Sequence, residues 1–432
     1  MGIFDWLFGK KKKAAYGADW DTTQSAPSYQ GPANQPAPEQ REPFINAPAR
    51  RTKRTRTWGL KWRQQRSKHP LESVPNEEEP FSLWSNPFKH HALYGGTEAK
   101  PSKGGSAARI EALGLPNLEN LDELAALLGE TRNNLLHYII RDRPGDRHYV
   151  ARDLPKKSGG TRMLLVPKPR LKAIQRKLNA KLIRRLPLNP AAHGFRRSHD
   201  VLSGASVHVA RSVVISVDIE AFFPSLTFRR VSGFLRSIGY SRGIATALAN
   251  LMTIRPCNVA GIGRTADTRY PQLPQGAPTS PGIANAICWR MDKRLSALAR
   301  KFGGDYTRYA DDLTFSGFDE MAKGAGRLLQ LVRKIVKTEG LALNEKKTRI
   351  MRKGRQQRVT GVVVNQQTNV SRREFDKLKA ILHNCIKHGP GGQNRESVPD
   401  FKEHLRGRIA HISHIGPERG RKLKAMFDQI RW

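Results

Sequence analysis

The sequence predicts an α/β (α+β) body between a low-complexity, basic N-terminal extension and a helical, basic C-terminal end. Three observations predict it. A β-branched run with little polar content, Ser212 to Val217, reads as a buried strand and stops at Asp218. Two strand-like runs, Asp305 to Arg308 and Leu313 to Ser316, meet at a polar turn and read as a β-hairpin. Leu171, Ile174, Leu178 and Leu182 form the apolar stripe of a helix whose opposite face carries Lys172, Arg176, Lys177, Lys181 and Arg184.

In chain order, residues 1–106 form the extension. Met1 to Phe8 is mostly apolar and runs into Lys10 to Lys13, the wrong order for a secretory signal. Ser25 to Pro48 is rich in Pro, Gln, Ala and Ser and predicts disorder, because it has little to bury. Arg50 to Lys68 is basic and free of acids, with Trp58 and Trp62 interleaved. That composition suits phosphate contact with base stacking, or a solvated linker. Periodic structure begins near Arg109. Leu121, Leu124, Ala125 and Leu128 predict a helix capped by Asn120, and Leu135, Leu136 and Ile139 predict a second. Strands are expected near 147–152 and 162–166, on either side of Ser158-Gly159-Gly160. After the amphipathic helix, strands and helices alternate.

Charge names a class of partner. Lys and Arg number 76 against 37 Asp and Glu, a formal net charge of +39. Such a charge opposes compaction unless an anion neutralises it, and each phosphate contact releases a condensed counterion, so nucleic acid is expected. Cys257, Cys288 and Cys385 are too widely spaced for a disulfide framework or a CxxC metal knuckle, which fits a reducing cytoplasm. His411 and His414 lack a paired Cys or acid at ligand spacing and are expected at the surface or facing RNA, not on zinc. No stretch approaches the length of a membrane span.

The chemistry is expected at carboxylates. Asp218 at the tip of a core strand is costly unless it faces a cleft, a partner or a metal. Asp311 and Asp312 at the hairpin tip repel each other, and cations would relieve that repulsion. Neighbours on a strand point to opposite faces, so Asp311 is expected as the main ligand and Asp312 as the supporting one. Mg²⁺ prefers a few carboxylates completed by substrate phosphates and water, and a pair of such ions suits phosphoryl chemistry.

Four segments occur in order: Val217-Asp218-Ile219-Glu220-Ala221-Phe222-Phe223-Pro224-Ser225, Leu273-Pro274-Gln275-Gly276-Ala277-Pro278-Thr279-Ser280-Pro281, Tyr309-Ala310-Asp311-Asp312, and Leu343-Asn344-Glu345-Lys346-Lys347-Thr348. Together they resemble the palm motifs of reverse transcriptases, over about residues 107 to 432. The resemblance implies a right-hand polymerase fold, with fingers and palm over 107–365 and a helical thumb over 366–432. It implies that Asp218, Asp311 and Asp312 are catalytic and hold two Mg²⁺ ions. Phe223 would stand at the sugar gate, with Phe222 beside it able to play either part. Gln275 and Gly276 would line the nucleotide and template pocket. Arg162, with Lys168 as a weaker candidate, would clamp the triphosphate, and Lys346 or Lys347 would approach the departing phosphate.

Two further segments narrow the resemblance. Asn189-Pro190-Ala191-Ala192-His193-Gly194-Phe195 is similar to the NAxxH segment of bacterial retron enzymes, with Pro190 where Ala is usual. Val359-Thr360-Gly361, in a strand-like run from Arg358 to Asn365, resembles their VTG triplet. The likeness implies contact with a cognate structured noncoding RNA through Asn189, His193, Arg196, Val359, Thr360 and Gly361. The basic helices that follow, with Arg372, Arg373 and Arg406, would grip the RNA–DNA product through phosphates and A-form shape. It further implies dNTP substrates, priming from an internal guanosine 2′-hydroxyl, an effector or toxin partner in antiphage defence, and a host RNase H, since about seventy residues after Gly361 leave little room for a nuclease. Rival readings are a group II intron-like or other defence-associated reverse transcriptase, and a non-catalytic palm serving as an RNA scaffold.

Overall fold

The computed structural model describes residues 105–140, 148–155, 159–259, 262, 268 and 270–432. The apolar start, the Pro- and Gln-rich run, the basic Trp-bearing run and Ser158 lie outside the described residues.

Helix α1 (Ala107–Ala112) leads into α2 (Leu121–Leu128), which starts where its cap requires: Asn120 Oδ1 accepts from the main-chain N–H groups of Asp122 and Glu123, both at 3.0 Å. Helix α3 (Arg132–Ile139) is capped by Thr131, whose side chain accepts from Asn134 N–H. Strands β1 (Tyr149–Pro155) and β2 (Thr161–Pro167) pair antiparallel as a separate ribbon, and α4 (Pro169–Lys181) is the amphipathic helix, with Leu171, Ile174 and Leu178 buried.

The centre is built from α5 (Val201–Ser206), β3 (Val213–Asp218), α6 (Phe222–Ser225), α7 (Phe228–Ser237), α8 (Arg242–Met252), α9 (Ser280–Ile287), α10 (Trp289–Lys301), β4 (Gly304–Tyr309), β5 (Asp312–Gly317), α11 (Asp319–Thr338) and β6 (Arg349–Arg352). The sheet order is β4-β5-β3-β6 and every pairing is antiparallel. The alternation of strands and helices therefore yields the α+β form rather than a parallel α/β sheet. The hairpin return from β4 to β5 and the long returns through α11 and the surrounding helices allow antiparallel neighbours.

Period-two alternation separates the faces of the sheet. Val213, Ile215 and Val217 of β3 join Leu313 and Phe315 of β5 and Tyr306 of β4 in the main apolar core. The opposite face is mostly polar, with Val214 packed into a second apolar core. There Asp218 lies across from Asp312, Ser216 from Thr314, and Thr307 from Thr314. Buried His208 crosses this face, hydrogen-bonded to Ser316 Oγ and Thr307 Oγ1, each at 2.7 Å. Burial pushes its imidazole down to about 3, with Arg211 and His193 adding to the effect, so it bridges the strands in the neutral form.

The C-terminal part starts with β7 (Arg358–Val359) and β8 (Val362–Val363), followed by α12 (Arg372–His388), α13 (Phe401–Ile415) and α14 (Pro417–Phe427). Val359-Thr360-Gly361 is not a continuous strand but the tip of a tight hairpin. Thr360 and Gly361 have φ of 48° and 95°, and a type I′ turn needs positive φ at both of these positions. Val359, Val362 and Val364 share a second apolar core with Leu378, Leu382, Leu405, Ile412 and Leu423 of the terminal helices. Arg372, Arg373 and Arg406 are exposed, and Arg372 and Arg406 pair with Asp376 and Glu403 on their own helices.

Candidate active site

The carboxylates are brought together by register. Asp218 ends β3 and Asp312 begins β5 directly opposite it, while Asp311 sits in the two-residue loop between Tyr309 and Asp312. Asp311 C=O accepts from Ile219 N–H at 2.9 Å, which fixes the loop against the residue after Asp218. Ser216, two residues before Asp218 on the same face of β3, donates to Asp312 Oδ1 at 3.0 Å. Burial raises the proton affinity of Asp311, and Asp218 adds to it. Burial likewise pushes Asp312 up to about 6, with Asp311 and Asp218 contributing against the Ser216 hydrogen bond. The site holds more negative charge than its environment offsets.

Positive charge approaches from two directions. Lys347 Nζ donates to both oxygens of Asp218, at 2.9 and 3.0 Å, and its field lowers both Asp311 and Asp312. Lys347 is the last residue of a 3₁₀ turn, Glu345–Lys347, and Asn344 N–H donates to Asp218 C=O at 2.8 Å, so the main chain delivers the lysine. Both candidate lysines are exposed, and Lys347 is the one paired with Asp218. From β2, half-buried Arg162 acts on Asp311 with the same sign.

A divalent cation fits this donor set. The carboxylates repel one another, and an ammonium already stands on Asp218 where positive charge is called for. Among the described residues no group of three or more His, Cys, Asp or Glu is arranged to hold a metal ion by itself. A hard cation that shares its ligands with substrate phosphates and water does not need one.

Gln275 and Gly276 are set against β2 by backbone contacts. Leu165 N–H of β2 donates to Gln275 C=O at 2.9 Å. Gly276 has φ of 131°, and a Cβ there would stand 2.9 Å from Leu165 C=O, so glycine is required for this approach. Phe222 is buried in the core, whereas half-buried Phe223 faces an aromatic row: Phe195 lies 6.4 Å from Phe223 and 6.2 Å from Tyr309 between ring centroids. Phe223 is thus the ring on the Tyr309 side.

The Asn189–Phe195 segment lies beside the Ala310–Asp311 turn. Asn189 is buried, its Oδ1 accepting from Ala191 N–H at 3.0 Å. Half-buried His193 bonds Ser203 Oγ at 3.0 Å and is held down to about 4 by burial, then by His199 and Arg196. Arg196 donates to Asn189 C=O at 3.4 Å. Thr360 Oγ1 donates to Val201 C=O at 3.4 Å, and His414 of α13 pairs with Asp200, the N-cap of α5. So α5 gathers the Asn189 segment, the Thr360-Gly361 hairpin and the last helices at one place. His411 is exposed as expected, whereas His414, also at the surface, has a partner far away in the chain. Sequence reading missed Ser216, Phe195, Asp200 and the buried Arg308–Asp292 pair. The available signals were a charged residue inside the strand Tyr306-Thr307-Arg308 and an acid between the apolar Met291 and Leu295.

Residues 154–366 match the family described as reverse transcriptase (RNA-dependent DNA polymerase). The chain is 43% identical over 320 residues to the retron Mx65 reverse transcriptase of Myxococcus xanthus, covering 73% of each chain. It is 40% identical over 340 residues to the retron Mx162 reverse transcriptase of the same organism, covering 74% of this chain and 69% of that one. The retron Ec86 reverse transcriptase of Escherichia coli is 31% identical over 327 residues, 74% of this chain and 92% of the relative. The chain belongs to the retron reverse transcriptases. It has that family's right-hand polymerase fold and is an RNA-directed DNA polymerase, with an RNA template, dNTP substrates and a divalent metal cofactor. No helix among the described residues of this retron enzyme is long and apolar enough to cross a membrane.

Proposed function

We propose that this retron reverse transcriptase copies part of a cognate structured noncoding RNA into DNA, primed from an internal guanosine 2′-hydroxyl of that RNA. The product is a branched RNA–DNA molecule (msDNA) with a 2′-5′ link. The observation that supports the chemistry is the convergence of Asp218, Asp311 and Asp312 beside Lys347, with more negative charge than the surrounding groups neutralise. The likeness to retron enzymes supports the priming mode. In this reading residues 107–365 are fingers and palm, 366–432 the thumb, and 1–106 an extension. The enzyme works in the cytoplasm, host RNase H trims the template, and an effector or toxin protein acts with it in antiphage defence.

Asp218, Asp311 and Asp312 would hold two Mg²⁺ ions, which supply positive charge to the attacking hydroxyl and the departing pyrophosphate. The other steps belong to side chains. Arg162, reaching in from β2, binds the triphosphate as an anion. Gln275 and Gly276 bound the base pocket, and the ring of Phe223 excludes a ribonucleotide 2′-hydroxyl. Lys347 Nζ, held at the site by Asp218, would donate a proton to the leaving phosphate oxygen. Asn189, His193, Arg196 and Val359-Thr360-Gly361 form the side of the palm that meets the cognate RNA. Arg372, Arg373 and Arg406 hold the duplex backbone.

Purified protein given its cognate transcript, dNTPs and Mg²⁺ should yield branched cDNA that debranching enzyme shortens, and Asp218→Ala should yield none. Unbranched product from wild type would keep the polymerase and remove the priming mode. Equal synthesis by Asp218→Ala would remove the site.

A further inference from the structure

We infer that Arg308 is a positioning residue for the catalytic turn, holding Ala310 through its guanidinium so that Asp311 and Asp312 face Asp218. The inference rests on the carboxylate site proposed above and adds what keeps it in shape.

Arg308 and Asp292 are each fully buried, on β4 and α10. Arg308 Nε and Nη2 donate to Asp292 Oδ1 and Oδ2 at 2.8 and 2.7 Å, and Tyr306 OH donates to Asp292 Oδ1 at 2.9 Å. A buried ion pair is a poor way to add stability, because desolvation offsets most of its attraction. What it does well is fix direction. With two edges of the guanidinium committed to Asp292, Nη1 is aimed at two acceptors: Asn285 Oδ1 at 2.8 Å and Ala310 C=O at 3.2 Å. Ala310 is the first residue of the catalytic loop and Asp311 follows it.

Ala310 needs such holding. Its φ is 59°, a left-handed value that costs a residue with a Cβ and that a two-residue hairpin loop normally assigns to glycine at this position. The neighbouring segment closes the other side. Asn285 Nδ2 donates to Gly194 C=O at 2.7 Å, and a Cβ on Gly194 would stand 2.8 Å from Ala310 N. Arg308 N–H donates to Ala191 C=O at 2.7 Å, and His193 N–H to Arg308 C=O at 2.8 Å. Pro190 to Gly194 thus runs along the outer edge of β4 as a short parallel bridge at Ala192 and Arg308. The retron-like segment and the catalytic loop are joined through one arginine. Besides any contact with RNA, this segment braces the metal-binding turn.

Arg308→Lys tests this in the full-length protein, because an ammonium keeps the charge opposite Asp292 but cannot also reach Asn285 and Ala310 in a fixed fork. Asn285→Leu and Gly194→Ala leave the ion pair intact and disturb the turn from the other side. Mn²⁺ binding is measured by electron paramagnetic resonance without nucleotide, amide exchange at Asp311 and Asp312 by hydrogen exchange, and kcat, KM for dNTP and RNA affinity separately. A displacement of about 1 Å at a catalytic group costs on the order of 10²-fold. Arg308→Lys should therefore lower kcat by about that factor. It should also weaken Mn²⁺ binding by roughly tenfold and speed exchange at the turn, with dNTP KM and RNA affinity within about twofold. Asn285→Leu and Gly194→Ala should show the same pattern, more weakly. Lower melting temperatures with unchanged Mn²⁺ binding and unchanged kcat in the folded protein would show a purely structural ion pair and overturn the inference. If Arg308→Lys does not fold, the other two variants decide by the same readouts. Absence of Asp218-dependent Mn²⁺ binding in wild type would instead remove the carboxylate site itself.

Discussion

The two sides of the β4–β5 hairpin treat charge in opposite ways. On one side Asp218, Asp311 and Asp312 converge, and burial with mutual repulsion holds Asp312 up at about 6. On the other side Arg308 and Asp292 are fully buried, deeper than the half-buried acids, yet every charged edge has a partner within 2.8 Å. A hydrophobic core tolerates the second arrangement because hydrogen bonds replace the lost water. The half-buried acids of the first lie on the polar face, where a cation would complete them. In the proposed reading, charge imbalance marks the reacting site, and the balanced pair holds its turn in place.

Breaking each side should give opposite results. Asp311→Asn should reduce DNA synthesis by at least roughly 10³-fold. The metal-free protein should melt no lower, because a repelled carboxylate has been removed. If complex assembly and every biological output survive that change, the scaffold reading wins. Asp292→Asn strands a buried guanidinium, which costs about 3–5 kcal/mol and lowers the melting temperature by on the order of 10 °C. A melting curve of Asp292→Asn that overlays wild type would show that the two sides are not different in kind.

Smaller effects sharpen the contrast. Lys347→Ala should cost about 10²-fold in kcat, and exposed Lys346→Ala no more than about threefold. Equal losses would mean that the seating of Lys347 on Asp218 has no consequence. The sign of the pH effect follows from Asp312. Its folded carboxyl stands near 6 against an ordinary 3.8, so its contribution to stability is present below 3.8 and is lost as pH rises through 6. Without metal, stability should fall across that window, and Mg²⁺ or Mn²⁺ should restore more of it at pH 7 than at pH 5. Thermal melts with and without the ion check this, and a metal effect independent of pH would contradict it. Smallest is the thumb: Arg372→Gln, Arg373→Gln and Arg406→Gln should each reduce the slope of log affinity for RNA–DNA duplex against log salt by about 1.

The elements were legible wherever a local rule sufficed. Asn120 as a cap, the apolar stripe of α4 and the β-branched run of β3 depend on neighbours a few residues away. The hairpin around Asp311 and Asp312 was legible for the same reason. The VTG triplet was misjudged as part of a continuous strand, because a Thr-Gly loop with both residues at positive φ looks like β-rich sequence until the chain turns. The antiparallel sheet was obscured too, since alternating strands and helices do not state their pairing.

The sequence by itself determined the chemistry: which acids stand at a strand end and a turn, how much positive charge surrounds them, and by resemblance which family they belong to. Only the tertiary structure decided which groups meet. It seated Lys347 rather than Lys346 on Asp218, set Phe223 rather than Phe222 against Phe195, and joined Arg308 to Asp292 and the Asn189–Phe195 segment to the Ala310–Asp311 turn. The reason is physical. Composition and short-range spacing specify local conformation and charge, whereas hydrogen-bond partners and desolvation depend on residues tens or hundreds of positions apart that only packing brings into contact.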